Sequence, residues 1–193
     1  MVVPNQNEVE TSRLTAKQTI EKIDRLMPLS LKDKEEQFAY TYARHKGNTY
    51  SKLQYLYDFM EDIYGFVGNY VPCKKGCIHC CHIPVSISEL EAKFITKHTS
   101  MKRSKANSFV NLDKSPCPFL KKGACSIYKV RPFVCRRHVM LDNTAKWCHI
   151  DVCDKITLTQ LTFTEIDKFY EFLLHDSGKN ERLDIREAFD SYR

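Results

Sequence analysis

The 193-residue sequence predicts a mainly α-helical fold, with helices from both ends of the chain packed on an irregular, cysteine-rich middle. Three observations predict it. Apolar residues recur at helical spacing near both ends. Strand-like alternation is nearly absent. Eight of the nine cysteines fall between Cys73 and Cys148, in a stretch broken by proline and glycine. The expected division is an N-terminal helical region over 1–68, a cysteine-rich module over 69–153, and C-terminal helices over 154–193 that pack on the same domain.

Ala16, Ile20, Ile23 and Met27 mark a first helix that ends at Pro28, and Phe38, Tyr40 and Tyr42 sit in a second. Leu53, Leu56, Tyr57, Met60, Ile63 and Tyr64 make a sharper stripe that ends at Gly65. These stripes read as core; for the tyrosines Tyr40, Tyr42, Tyr50, Tyr55, Tyr57 and Tyr64 a groove lining is the alternative. From Tyr70 the texture changes to loop, with Pro72, Gly76 and clustered cysteines. Ile83–Ile87 is a short strand signal interrupted by Pro84. Ser88 and Glu91 form a capping box that opens a short helix with Leu90, Ala92, Phe94 and Ile95 inward. Residues 99–116 read as a polar, mobile linker. Pro132 suits the first turn of a helix carrying Cys135, Arg136 and Arg137. Thr162 and Glu165 form a second capping box, followed by the stripe Phe163, Ile166, Phe169, Tyr170 and Leu173 and a glycine stop at Gly178. Leu183, Ile185 and Phe189 predict a last short helix.

Charged residues at 28 % and hydrophobic residues at 42 % describe an ordinary soluble protein. No apolar run reaches the roughly 18 residues of a membrane-spanning helix, so no membrane role is expected. Met1–Glu8 lacks a basic region followed by an apolar stretch, so no secretory signal is expected and the cytoplasm is the expected compartment. Thiols stay reduced there, and nine is an odd number for a disulfide framework; both favour metal. A chain of this length buries roughly 70 % of its unfolded surface, so it does not need cysteines merely to fold. The net charge of +6 is uneven: residues 69–150 hold 15 Lys and Arg against 4 Asp and Glu, or +11, while 1–68 sum to −1 and 151–193 to −4. Part of that excess would neutralise metal-bound thiolates; the rest is a solvated basic face or a surface for an anionic partner.

The cysteines form two blocks. The first is Cys73-x3-Cys77-x2-Cys80-Cys81. Gaps of two and three residues let one turn aim several thiolates at a point about 2.3 Å from each, and closely clustered spacings of this kind also serve iron–sulfur ligation. The remaining ligand comes from Cys81 or from the second block. Side chains of adjacent residues tend to diverge, so Cys80 and Cys81 on one mononuclear zinc would be strained. One of the pair serves a second site or stands beside the first.

The second block reads Cys117-Pro-Phe-Leu, then Cys125-Ser-Ile-Tyr, then Arg131-Pro-x-x-Cys135-Arg. Together the ordered motifs resemble the YkgJ-type cysteine-cluster family, a zinc- or iron-chelating domain also described as containing an iron–sulfur cluster. The resemblance spans Pro72 to Cys148. It implies that Cys73, Cys77, Cys80, Cys81, Cys117, Cys125 and Cys135 belong to the metal site or sites, with Cys148, beside Trp147, as the candidate eighth. Eight thiolates make two four-sulfur sites, or a single cluster with spare cysteines. Cys153 departs from the motif and reads as a free thiol. Flagellin lysine N-methylase is a larger relative, but no methyl-donor site is recognisable here and methyl transfer does not carry over. The resemblance favours an iron–sulfur cluster, with zinc as the alternative cofactor.

His79, His82, His138 and His149 flank the cysteines as candidate nitrogen ligands or proton carriers, or as surface and hydrogen-bonded histidines. Arg131, Arg136 and Arg137 read as neutralising or structural groups, and Phe119, Ile127 and Tyr128 as a dry wall. No phosphate-cradling glycine loop and no Ser–His–Asp or Cys–His spacing is recognisable, and carboxylates are scarce near the cysteines. The expected function is that of an iron–sulfur protein in electron transfer or in modification of a protein substrate. The alternative is a zinc-stapled adaptor whose basic middle binds an acidic protein or, with weaker support, nucleic acid.

Overall fold

The computed structural model describes residues 5–104, 115–153, 155–157 and 159–189. Three long helices open the chain. Helix α1 (Gln6–Leu26) starts where the Asn5 side chain accepts the Asn7 backbone N–H, and ends where Pro28 cannot continue it. Pro28 then caps α2 (Leu29–Arg44), its carbonyl accepting from Leu31 and Lys32. Helix α3 (Thr49–Val67), capped by Asn48, runs past the expected stop at Gly65. Gly65 is exposed and leaves the hydrogen-bond ladder intact, while Val67 is fully buried and rewards the extra turn.

The main core forms where α3 meets α2 and the C-terminal helix α6 (Thr164–Ser177). Phe38 stacks on Phe59 with ring centroids 4.0 Å apart. Tyr42, Tyr57 and Tyr64 are buried in this core and Tyr40 is exposed, so the aromatic excess is mostly packing. Helix α6 starts without a side-chain cap, and the expected Thr162–Glu165 box does not form. Phe163 occupies the cap position, edge-on to Tyr64, and Glu165 pairs with Lys168 instead. Gly178 ends the helix in the left-handed region, at φ 61°.

After α3 the backbone is irregular up to β1 (Ser86–Ser88), which leads into α4 (Glu89–His98) through the expected Ser88–Glu91 capping box. Strand β1 has a partner that sequence patterning did not reveal. It pairs antiparallel with β4 (Arg182–Asp184), with Ile87 opposite Leu183. Leu183 is therefore in a strand rather than in the last helix, α7 (Ile185–Ala188), which Asp184 and Glu187 cap as a box. The pairing ties the C-terminal segment beside the first cysteine block.

Between these elements, β2 (Leu120–Lys121) and β3 (Ala124–Cys125) form a tight hairpin, and α5 (Phe133–Arg137) is one short helix. A second core gathers Ile87, Ile95, Phe119, Ile127, Ile185 and Phe189. A third, smaller cluster of Met140, Trp147 and Cys148 packs against Val9 of α1. Ser12 of α1 and the Trp147 indole both donate to the Asp142 carboxylate, at 2.6 and 2.8 Å. Of the expected linker 99–116, residues 105–114 lie outside the described residues. Its start is pinned, with Met101 buried and the Ser104 N–H donated to the Ala188 carbonyl. Among the described residues, no helix is long and apolar enough to cross a membrane.

Candidate metal centre

Each cysteine is set by a local feature. Cys73 and Cys77 flank a turn whose Gly76 sits at φ 98°, a conformation that favours glycine. The Cys77 N–H closes this turn onto the Lys74 carbonyl at 2.9 Å. Cys80 and Cys81 lie in a 3-10 turn over His79–His82. The Cys81 carbonyl accepts the Cys117 N–H at 2.7 Å, which fastens the second block to the adjacent pair. In the hairpin, Lys122 and Gly123 both have positive φ, 50° and 72°, so a tight turn returns Cys125 to face Leu120, three residues after Cys117. Cys135 rides on α5, and Cys148 closes a 3-10 turn over Lys146–Cys148.

All eight line one cavity of about 380 Å³. Tyr64, Val85, Ile127, Tyr128, Val139 and Ile185 supply apolar wall; Lys74 and Lys75 stand exposed at its edge. Phe119 packs behind Cys117 and Cys125. Cys153 lies outside the cavity, its thiol against the Ile150 carbonyl. Of the candidate histidines only His138 lines the cavity, among the described residues; burial and then Arg137 lower its basicity. The rings of His79 and His149 face each other at 5.7 Å.

The nine cysteines are present as thiols. Burial is the largest influence on most of them. It pushes Cys117 up to about 11 and Cys148 up to about 12, and raises Cys73, Cys125 and Cys135. Cys80 is raised first by its hydrogen bond with Cys81 and then by burial. Working against burial, backbone N–H groups of Met140, Phe119 and Ile127 donate to the sulfurs of Cys73, Cys117 and Cys125 and favour their thiolates. The Met140 N–H reaches Cys73 Sγ at 3.1 Å.

Among the described residues, no three Cys, His, Asp or Glu side chains already converge as a metal-binding group. The thiols line the cavity wall, and metal binding would release their protons. The donor set fits such a group in kind. It is all sulfur, with N–H donors placed on three of the sulfurs. The charge environment fits as well. Arg131 lines the cavity, stacks on the Tyr128 ring at 3.9 Å, lies 4.0 Å from the Glu61 carboxylate, and carries a buried Nε with no hydrogen-bond partner among the described residues. Its positive charge favours the thiolates of Cys80 and Cys125. An anionic thiolate site would satisfy that donor.

Arg136 and Arg137 are structural. Arg136 is buried, stacks on Tyr57 at 4.2 Å, and donates to the carbonyls of Lys129 and Arg131 and to Glu61. Arg137 pairs with Asp167 at 2.7 Å. Lys146 pairs with Glu8. Acids from outside the basic segment thus neutralise part of its charge.

Sequence reasoning missed the deeper role of Glu91. It is 1 % exposed, and its carboxylate accepts from Tyr57 Oη, Tyr170 Oη, Ser88 Oγ and the backbone N–H groups of Ser88 and Phe133. The capping box accounted only for its contacts with Ser88. A carboxylate between Leu90 and Ala92 on a helix face that is otherwise apolar was the available signal.

Residues 72–154 match the family model CxxCxxCC, described as a "putative zinc- or iron-chelating domain". No curated protein and no solved structure matches the chain.

Proposed function

We propose that the chain, whose residues 72–154 match a family model described as a "putative zinc- or iron-chelating domain", is an iron–sulfur protein that transfers electrons or supports modification of a protein substrate. The observation that carries this reading is the placement of eight cysteines around one cavity with Arg131 on its wall, its guanidinium 4.0 Å from Glu61 and its buried Nε without a hydrogen-bond partner among the described residues. Sulfur ligation, backbone N–H donors to sulfur and a partly apolar surround are the means by which a protein holds such a cluster and sets its potential. A bound cluster would supply one-electron chemistry. The chain's own residues would hold it through thiolates, balance its charge through Arg131, and exclude water with Ile127, Val139 and Ile185.

Lys74 and Lys75 are proposed as the contact for an acidic protein partner, because they are exposed at the edge of the same cavity. Anaerobic purification tests the cofactor. A brown protein with acid-labile sulfide and about four irons per cluster is expected. A colourless protein with stoichiometric zinc would replace this reading with that of a zinc-stapled adaptor.

A further inference from the structure

We infer that the eight cavity cysteines form two four-sulfur sites. Cys73, Cys77 and Cys148 belong to one; Cys117, Cys125 and Cys135 belong to the other; the adjacent pair Cys80–Cys81 gives one thiolate to each. This inference rests on the metal-binding reading of the same cavity.

Packing sets Cys73 and Cys148 apart from the second triad. Cys73 packs against the small cluster of Met140, Trp147 and Cys148, on the side where α1 closes the fold. Cys117, Cys125 and Cys135 pack instead into the core built from α4, β1 and α7. The backbone separates them in the same way. The Met140 N–H, from the chain segment leading to Cys148, is donated to Cys73. The hairpin sets Cys125 opposite Leu120, whose N–H is donated to the Cys117 carbonyl at 2.9 Å.

The adjacent pair lies between. Cys148 lies within electrostatic reach of Cys73, Cys80, Cys77 and Cys153, the last outside the cavity, and Cys135 within reach of Cys80, Cys117, Cys125 and Glu91. Cys80 is the one member common to both sets, and its side chain is hydrogen-bonded to Cys81. The Cys81 carbonyl in turn holds the second block through Cys117. Vicinal side chains cannot easily converge on one ion, but they can serve two ions on either side of a turn. Three plus one and three plus one complete two tetrathiolate sets, the number that zinc or a four-iron cluster requires.

Cobalt(II) titration of the full chain, stripped of metal under anaerobic reducing conditions, tests the division through thiolate-to-cobalt charge-transfer absorption. Two equivalents are expected for the wild type, and one each for Cys148→Ser and Cys135→Ser. Far-UV circular dichroism checks that each variant keeps its helices; Cys77→Ser and Cys125→Ser replace any that does not. Native mass spectrometry of the wild-type chain counts the bound metals without any substitution. One equivalent in the wild type, abolished by a substitution in either triad, would overturn the division and leave metal binding intact. No cobalt bound by the wild type would overturn the metal-binding reading itself.

Discussion

The Glu91 carboxylate accepts the backbone N–H of Phe133 at 2.7 Å, so a side chain of α4 caps the short helix that presents Cys135. A five-residue helix has too few internal hydrogen bonds to hold its own direction. Glu91 supplies the anchor and joins it to the hydroxyls of Tyr57 and Tyr170, and hence to α3 and α6. Glu91→Gln removes one acceptor oxygen and turns an NH2 toward donors. It is expected to lower stability by about 2–4 kcal/mol, read by urea unfolding of the metal-free chain. The expected loss exceeds that of Glu89→Gln, whose quarter-exposed carboxylate pairs with Arg103 and Lys93.

The helices were legible because their cores are local. Leu53, Leu56, Tyr57, Met60, Ile63 and Tyr64 announce one buried face at 3.6-residue spacing, and all six are buried. Ser88–Glu91 was equally legible, because a capping box is a contact between neighbours in sequence. The β1–β4 pairing was not, since it joins Ile87 to Leu183 through three-residue strands too short to show alternation. The eight cysteines that the resemblance implied as ligands are brought by the fold to one cavity wall. The arginine facing them was read only as one of three alike, and structure separates Arg131, with its unpaired Nε, from Arg136, which stacks on Tyr57 and is fully engaged.

Arg131 gives the next prediction. Its charge stabilises thiolates on the cavity wall and its Nε awaits an acceptor. Arg131→Leu removes the charge and, with it, the guanidinium stack on Tyr128. Metal affinity, measured by chelator competition, is expected to fall by roughly ten- to a hundredfold, about 1.4–3 kcal/mol. Arg131→Lys should restore part of it, because the ammonium keeps the charge but not the planar donor. Equal affinity in wild type and Arg131→Leu would show that the guanidinium plays no part in holding the site.

Raised thiol pKa values set a pH dependence for the metal-free protein. Unfolded thiols titrate near their ordinary value of 9.0, whereas Cys117 titrates near about 11 and Cys148 near about 12 in the fold. Between those limits the folded chain binds more protons than the unfolded one, so stability falls as pH rises. The stabilising term is whole below pH 9 and is lost progressively toward pH 12. Thermal unfolding of the metal-free chain is expected to show a falling midpoint over that window. The metal-bound chain should not show it, because its ligand thiols have already lost their protons. Metal addition in weakly buffered solution at pH 7 should accordingly release up to about four protons per tetrathiolate site.

The hairpin offers a test in which a single backbone angle is the variable. Lys122 sits at φ 50° and Gly123 at φ 72°, the pair of positive values that a two-residue turn of this hand requires. Lysine pays a steric penalty there that asparagine largely avoids, so Lys122→Asn is expected to stabilise the chain by about 0.5–1 kcal/mol. Gly123→Val places a branched side chain in the same region and should cost about 1–2 kcal/mol or more. A Cβ at Gly123 would meet no neighbouring atom within 4 Å, so the cost isolates backbone strain from crowding. Urea unfolding of the metal-free chain checks both signs. Because this turn sets Cys125 against Leu120, whose N–H is donated to the Cys117 carbonyl, Gly123→Val should also weaken metal binding at their site. Unchanged metal affinity in a destabilised Gly123→Val chain would mean that these two cysteines do not depend on the hairpin for their placement.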